Sequence, residues 1–450
     1  MSVPHEPVLS PRAFGGNIAV WQGVPVSRAR FREHVAWACE RLPQRPEAIL
    51  LCEDRYRFLV AFTACLLRQQ VVLLPPNRSP GEIDSLSQRY PESYRLDDSL
   101  LDGLASAGST DVTGDWRLPA DRRVALVFTS GSTGVPRANP KTWGELVAGA
   151  RRVRARLGLD KGPARQMVAT VPPQHMFGLE MSILLPLQAG VTVHAGRPFF
   201  PQDILDALKE LDGPRILVTT PLHLKALAEP GLAWPALEFI LSATAPLSRE
   251  LACQVVAASG APVREIFGCS EAGAMATREI ARETAWTLLG EHRLRAGEDG
   301  FYLYPEEGSD PIRLADRFRC LDARRFVVLG RDTDMVNIAG KRGSLGDLTG
   351  KLRAIPGVED GVFLLPDHSP GGREPRLAAL VVAPDLDTRS ILKALAREID
   401  EVFLPRPLKR VDRLPYTETG KLPRAALLAM LDAEGPSVAP ASAAGGHGRA

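Results

Sequence analysis

Short apolar runs alternating with helical patterns constrain this chain more than any other feature. Between Glu47 and Asn77 it reads AILLCED, then the periodic RFLVAFTACLLRQ, then VVLLPPN: a strand, a helix and a strand in series. The alternation returns at VALVFTS, QMVATVP, VTVHAG, RILVTT and EFILSAT, closed by Gly, Pro, Ser or Thr and followed by helical stretches such as TWGELVAGARRVRARLG. Parallel strands need long crossovers, usually helical, and strands buried on both faces read as unbroken apolar runs. The rhythm therefore predicts an α/β fold of parallel-rich sheets covered by helices.

At 450 residues the chain exceeds one ordinary core, so two domains of unequal size are expected. The texture changes near Gly330. Beyond it come the short strands VNIAG, GVFLLPD and LAALVVAP, two helical stretches, TRSILKALAREIDEVF and RAALLAMLDAE, and a Gly-Lys loop between them. The expected division is a large domain over 1–330, a linker at 331–334, a small mobile α+β domain over 335–432 and a disordered Ala/Gly/Pro/Ser-rich tail over 433–450. A net charge of +2 gives no broad field for nucleic acid or an acidic membrane, so recognition of phosphate must be local and the ligand small. The six cysteines form no CxxC pair and no metal spacing, which predicts reduced thiols. The opening MSVPHEPVLSPRAFGG has no basic start followed by an apolar run, and no stretch of about 18 apolar residues occurs, so a cytoplasmic protein is expected, as monomer or homodimer. Only nine of the 55 basic residues are lysine, which makes Lys341 and Lys421 informative.

The segment Thr129, Ser130, Gly131, Ser132, Thr133, Gly134, Val135, Pro136, Arg137 follows the strand VALVF and is read as preceding a helix. Its glycines let consecutive N–H groups converge on an anion, and its hydroxyls add donors, so its chemistry is that of a phosphate cradle. A P-loop is excluded, because Gly134 is followed by Val135 and Pro136 rather than Lys and Ser or Thr. The alternative is a plain Ser/Gly turn.

TSGSTGVPR, IFGCSEAG, LADRFR, LGRDTDMVNIAGKR and LPYTETGKLPR occur in that order. With this spacing the chain resembles the adenylate-forming superfamily of acyl-CoA synthetases, peptide-synthetase adenylation domains and luciferases, from about Gly23 to Leu431. The resemblance implies ATP and Mg²⁺ as cofactors. It places Phe267 against adenine, Gly268 beside it, Ser270 on phosphate and Glu271 on Mg²⁺, a hard cation suited to carboxylate and phosphate oxygens; the alternative is a core Phe and a surface Glu. Upstream, Ser242, Ala243, Thr244, Ala245, Pro246, Leu247 stands where the family has Ser-Gly-Gly-Ala-Pro-Leu, so the segment flanks adenine while Ala243 and Thr244 add bulk on the acyl side. Asp316 lies fifteen positions before Arg331, the separation of the family's ribose-binding aspartate and following arginine, although Leu314 and Ala315 replace Thr-Gly. A surface Asp–Arg pair is the alternative. The family hinge falls two positions after the arginine, at Thr333 beside Asp332 and Asp334.

Lys421, in TGKLPR, stands at the position of the family's catalytic lysine, where an ammonium bridges carboxylate and α-phosphate as charge concentrates in the transition state; a solvated lysine in a glycine turn is the alternative. After adenylation the family's small domain rotates and presents a Gly-x-Arg face, here Gly340, Lys341, Arg342, to the thiol. Val171 to Gly178 occupies the acyl-pocket segment, with His175, Phe177 and Gly178 at the acyl group or thiol channel; a buried histidine satisfied by backbone is the alternative for His175. The implied activity is an ATP-dependent carboxylate-activating ligase that forms acyl-AMP and pyrophosphate and passes the acyl group to a phosphopantetheine thiol. The compact, arginine-rich chain resembles ligases of aryl-polyene (xanthomonadin-like) pigment clusters, which implies a hydroxybenzoate-like acid and an acyl carrier protein as acceptor. The alternatives are an aryl- or short-chain acyl-CoA synthetase using free CoA, and a non-catalytic relative that binds nucleotide or acyl-adenylate.

Overall fold

The computed structural model describes residues 3–10, 16–108, 115–129, 136–306, 308–331, 335–338, 341–366, 376–417 and 420–433. The chain divides into two compact units, the first comprising 1–329 with 418–420 and the second 330–417 with 421–450.

In the first unit the predicted strands pair as their apolar runs require. Glu47–Leu50 lies between Ser93–Leu96 and Val71–Leu74, which pairs with Arg123–Thr129, all parallel. A larger, eleven-stranded sheet has a parallel core of Thr192–His194, Gln166–Ala169, Arg215–Thr219, Phe239–Ser242 and Val263–Cys269 in that spatial order. It continues antiparallel through Gly273–Arg278, Trp286–Leu288 and Arg325–Arg331. Helices cover these sheets for local reasons. Trp143–Leu157 begins with a capping box of Thr142 and Glu145, stops at Gly158 in the left-handed region, and buries Trp143, Leu146, Val147, Ala150, Val153 and Leu157 at helical spacing. Arg55–Leu67 starts on Asp54, whose carboxylate accepts from Arg57 N at 2.8 Å. Its first residue, Arg55, is fully buried and donates to Ser182 Oγ and to the carbonyls of Ala169 and Val171, fastening this helix to the large sheet.

One element departs from expectation. The Ser/Gly/Thr loop does not run into a helix: it joins Arg123–Thr129 to a further strand, Arg137–Thr142, antiparallel to it with Thr129 opposite Arg137. Helix Trp143–Leu157 begins only after that strand.

The second unit is α+β. Ala378–Val382 pairs antiparallel with Asp360–Leu364 and parallel with Leu408–Arg410. Helices Leu345–Arg353 and Thr388–Glu398 pack on one apolar cluster with Phe363 and Val381, and Arg424–Asp432 packs through Leu427 on another with Leu364 and Leu380. Met335–Ile338 and Lys341–Ser344 form a hairpin. The helix at 345–353 and the strand at 341–344 were not predicted from sequence.

Candidate active site

Parallel strands leave a row of polar ends along their carboxyl edge, where α/β proteins place ligands. Here Thr129 closes one strand, half-buried, with its hydroxyl 3.4 Å from the Asn139 amide. Thr170 and Thr219 follow and close neighbouring strands of the large sheet, their hydroxyls 2.9 Å apart and bonded on to buried His223. The next strand of the large sheet ends in Ser242, leading to Ala243, which is buried, Thr244 and Ala245, half-buried, and Pro246, exposed. Thr244 adopts φ 79°, a left-handed conformation rare for a β-branched residue.

Phe267 sits near the end of Val263–Cys269, half-buried, its ring packed against Trp286, Phe318 and Phe326 at 5.3–5.9 Å. Gly268 is required by crowding, since a Cβ there would stand 2.2 Å from the Gly273 carbonyl. Ser270 and Glu271 occupy the turn that follows, half-buried. Arg137, from the strand after the Ser/Gly/Thr loop, brings its Nη1 to 3.9 Å from Glu271 Oε1. Burial together with the nearby Glu271 carboxylate pushes the Cys269 thiol up to about 12.

His175 caps the helix Met176–Leu179, and Gly178 lies so close to Pro172 that a Cβ would meet its carbonyl at 1.9 Å. Phe177 and Ala243 share one apolar cluster with Met181, Ile266 and Ala274, so the structure joins the expected acyl-pocket segment to the Ser242–Leu247 segment. Asp316 begins strand Asp316–Cys320, and the neighbouring strand Arg325–Arg331 ends at Arg331, so their fifteen-residue separation is the length of a hairpin. In the second unit Lys421 is exposed on a loop closed by Thr417 N to Lys421 O at 2.8 Å and Lys421 N to Thr417 Oγ1 at 3.1 Å, with Gly420 at φ 73°. Ser130, Gly131, Ser132, Thr133, Gly134, Asp332, Thr333 and Gly340 lie outside the described residues, as do the side chains of Arg331, Lys341 and Arg342 and the tail from 434.

Sequence reasoning passed over two groups behind the Glu271 turn. Lys141 and Glu180 are each 4% exposed. Lys141 Nζ donates to the Glu271 carbonyl, and Glu180 Oε1 accepts from Ala274 N at 3.1 Å. Desolvation pushes the Glu180 carboxyl up to about 7, outweighing the Ala274 N–H and the charges of Lys141 and Arg152. The scarcity that drew attention to Lys341 and Lys421 applied equally to Lys141, one of the same nine lysines. Among the described residues no three His, Cys, Asp or Glu side chains cluster to cage a metal. Glu271 suits instead a magnesium ion that keeps most of its coordination from phosphate and water. No helix of the described residues is long and apolar enough to cross a membrane.

The architecture is that of the adenylate-forming enzymes. It superposes on o-succinylbenzoate CoA synthetase from Bacillus subtilis, solved with its acyl-adenylate intermediate, with TM-score 0.78 over 94% of this chain and 98% of that one, at 17% identity. ATP-bound MatB from Rhodopseudomonas palustris gives 0.75 over 89% and 92%, at 18% identity. At the level of sequence, residues 93–292 match the AMP-binding enzyme family. The 4-coumarate–CoA ligase of Rhodobacter capsulatus is 33% identical over 303 residues, 66% of this chain and 74% of that protein. A probable 2-succinylbenzoate–CoA ligase of Mycobacterium tuberculosis is 30% identical over 336 residues, 68% of this chain and 85% of that protein. The chain belongs to the AMP-binding, adenylate-forming enzyme family.

Proposed function

We propose that this enzyme activates a carboxylic acid with ATP, releasing pyrophosphate and holding an acyl-adenylate, and then transfers the acyl group to a phosphopantetheine thiol. The observation that carries this reading is the meeting of Glu271, Arg137 and the Thr129 strand end at the carboxyl edge of the parallel strands, where the Ser/Gly/Thr loop departs. In the first reaction Ser270 and the residues 129–134 bind the triphosphate, Asp316 and Arg331 the ribose, and Phe267 with the Thr244–Pro246 segment the adenine. Glu271 holds Mg²⁺, which when bound supplies charge neutralisation to the phosphates. Lys421 supplies the ammonium that bridges carboxylate and α-phosphate.

The hinge at Asp332 and Thr333 then exchanges the Lys421 loop for the face of Gly340, Lys341 and Arg342 in the second reaction, with His175, Phe177, Gly178 and Ala243 about the acyl group. The aromatic acids in the relatives' names, coumarate and succinylbenzoate, favour an aryl acid here. Those names also favour free CoA as the acceptor over the acyl carrier protein expected from sequence. Both end in the same thiol, so single-turnover transfer to CoA and to a purified holo carrier protein separates them. Exchange of labelled pyrophosphate into ATP should depend on an aryl acid, and its absence with a broad panel of acids would contradict the reading. Lys421→Ala should lower exchange by about 100-fold or more while sparing thioester formation from supplied acyl-adenylate. Equal loss of both reactions would refute the two-step use of one site.

A further inference from the structure

The pair behind the Glu271 turn is poorly explained by stability. Removing an ammonium and a carboxyl from water costs more than their attraction commonly returns, and a well-packed apolar pair of similar volume is often at least as stable. Both side chains hydrogen-bond backbone on one side of the Glu271 turn: the carbonyl of Glu271 itself and the N–H of Ala274, three residues on. Lys141 reaches the Glu271 carbonyl from the strand Arg137–Thr142, and Glu180 takes the Ala274 N–H from the helical segment that also carries Phe177. The surroundings are shaped to admit them. Gly273, at φ 70°, has no Cβ that would press to 2.5 Å from Glu180 Oε1, and a Cβ on Gly149 would reach 3.3 Å from the same atom. The helix opens into a π-turn at Glu180–Leu184, the kind of widened turn that recurs at functional sites. Two further charges lie near: Arg152 acts on Glu180, and Arg137, 74% exposed in its side chain, faces Glu271.

We propose that Lys141 and Glu180 are positioning residues that fix the Ser270–Glu271 turn for magnesium and triphosphate, and that Glu180 ties this turn to the acyl-pocket helix so that acid and Mg-ATP bind cooperatively. The proposal rests on Glu271 serving the metal and phosphates, as read above. The lysine holds the Glu271 carbonyl within the turn and the carboxyl holds Ala274 where the next strand leaves it, so losing either loosens the backbone that carries Glu271. Loss of such support behind a metal-bearing residue characteristically costs about 10- to 100-fold in metal affinity or activity.

The test uses the full-length protein with Lys141→Met, Glu180→Leu and Lys141→Arg. Calorimetry reads Mg-ATP affinity with and without an aryl acid, pyrophosphate exchange reads the Mg²⁺ needed for half activation, and thioester formation from supplied acyl-adenylate serves as the metal-independent control. Lys141→Met and Glu180→Leu should weaken Mg-ATP binding and raise the Mg²⁺ requirement about 10- to 100-fold, and Glu180→Leu, which has no atom to accept the Ala274 N–H, should abolish the gain in affinity that the acid confers. The control should stay within about twofold of the unaltered enzyme, and Lys141→Arg should recover most of the Mg-ATP affinity. Unchanged Mg-ATP affinity and Mg²⁺ dependence in both variants would overturn the proposal, and so would parallel loss of the control reaction. Should Lys141→Met fail to fold, the double variant Lys141→Met, Glu180→Leu removes both charges, and the same readings decide. If the unaltered protein shows no acid-dependent exchange, the adenylation reading is what fails, and calorimetry still decides whether the pair supports Mg-ATP.

Discussion

Thr244 carries a methyl and a hydroxyl on Cβ at φ 79°, in a segment whose family counterpart has two glycines. The backbone there has kept a glycine-like path while the side chain has grown. A strained residue of this kind costs on the order of 1–3 kcal/mol, part of which glycine returns through about 0.5–1 kcal/mol of extra chain entropy lost on folding. Thr244→Gly should therefore stabilise the first unit by about 1 kcal/mol, read from the shift of its urea midpoint, and should widen the range of acids that support pyrophosphate exchange. A destabilised variant with an unchanged acid range would contradict both expectations. Residue identity was legible in the sequence, and residue environment was not. The string SATAPL gave the alignment but could not show the positive φ, and Lys141 read as one more polar residue until burial and its bond to Glu271 distinguished it.

Arg137–Thr142 was missed because RANPKT contains Pro140 and Asn139 and has no apolar alternation. It is nevertheless a strand, at the edge of the five-stranded sheet, where a proline lacking an N–H is tolerated. That edge strand makes the phosphate-loop segment a hairpin connection and carries Arg137 back toward Glu271. The turn from Pro172 to Gly178 shows the converse dependence, of an element on one missing atom. Gly178→Ala would place a Cβ 1.9 Å from the Pro172 carbonyl, so the chain must shift, at a cost of about 1–3 kcal/mol. Gly81→Ala, in the helix Pro80–Arg89 with nothing within 4 Å, should be neutral or stabilise by up to about 1 kcal/mol. Denaturant midpoints of the two variants check the contrast, and equal effects would mean that the close approach at Gly178 is absent in solution.

Across the first unit three histidines, His34, His223 and His292, are at least 95% buried, and desolvation lowers each to about 4. A histidine with a depressed folded pKa contributes stability above its ordinary value near 6.5 that is lost as pH falls toward about 4. Each such shift corresponds to roughly 3 kcal/mol, a sizeable part of a domain's total stability of about 5–15 kcal/mol. Glu180 works the other way, and so do Glu47, Asp98 and Glu265, whose carboxyls burial also raises: such groups favour the folded state at low pH and lose that contribution as pH rises, toward about 7 for Glu180. The urea midpoint of the first unit should fall as pH drops from 6.5 toward 4, and His34→Gln, His223→Gln and His292→Gln should flatten that fall; a flat profile in the unaltered protein would show that these rings are not held neutral. By itself the sequence determined the α/β class, the change of texture near Gly330 and the order of the motif residues, because hydrophobic period and turn chemistry are local properties written in adjacent positions. Only the tertiary structure decided that Lys141, Glu180 and Glu271, drawn from a strand, a helix and a turn far apart in the chain, meet at one place. Burial of a polar side chain depends on which distant strands and helices close over it, and no local pattern records that.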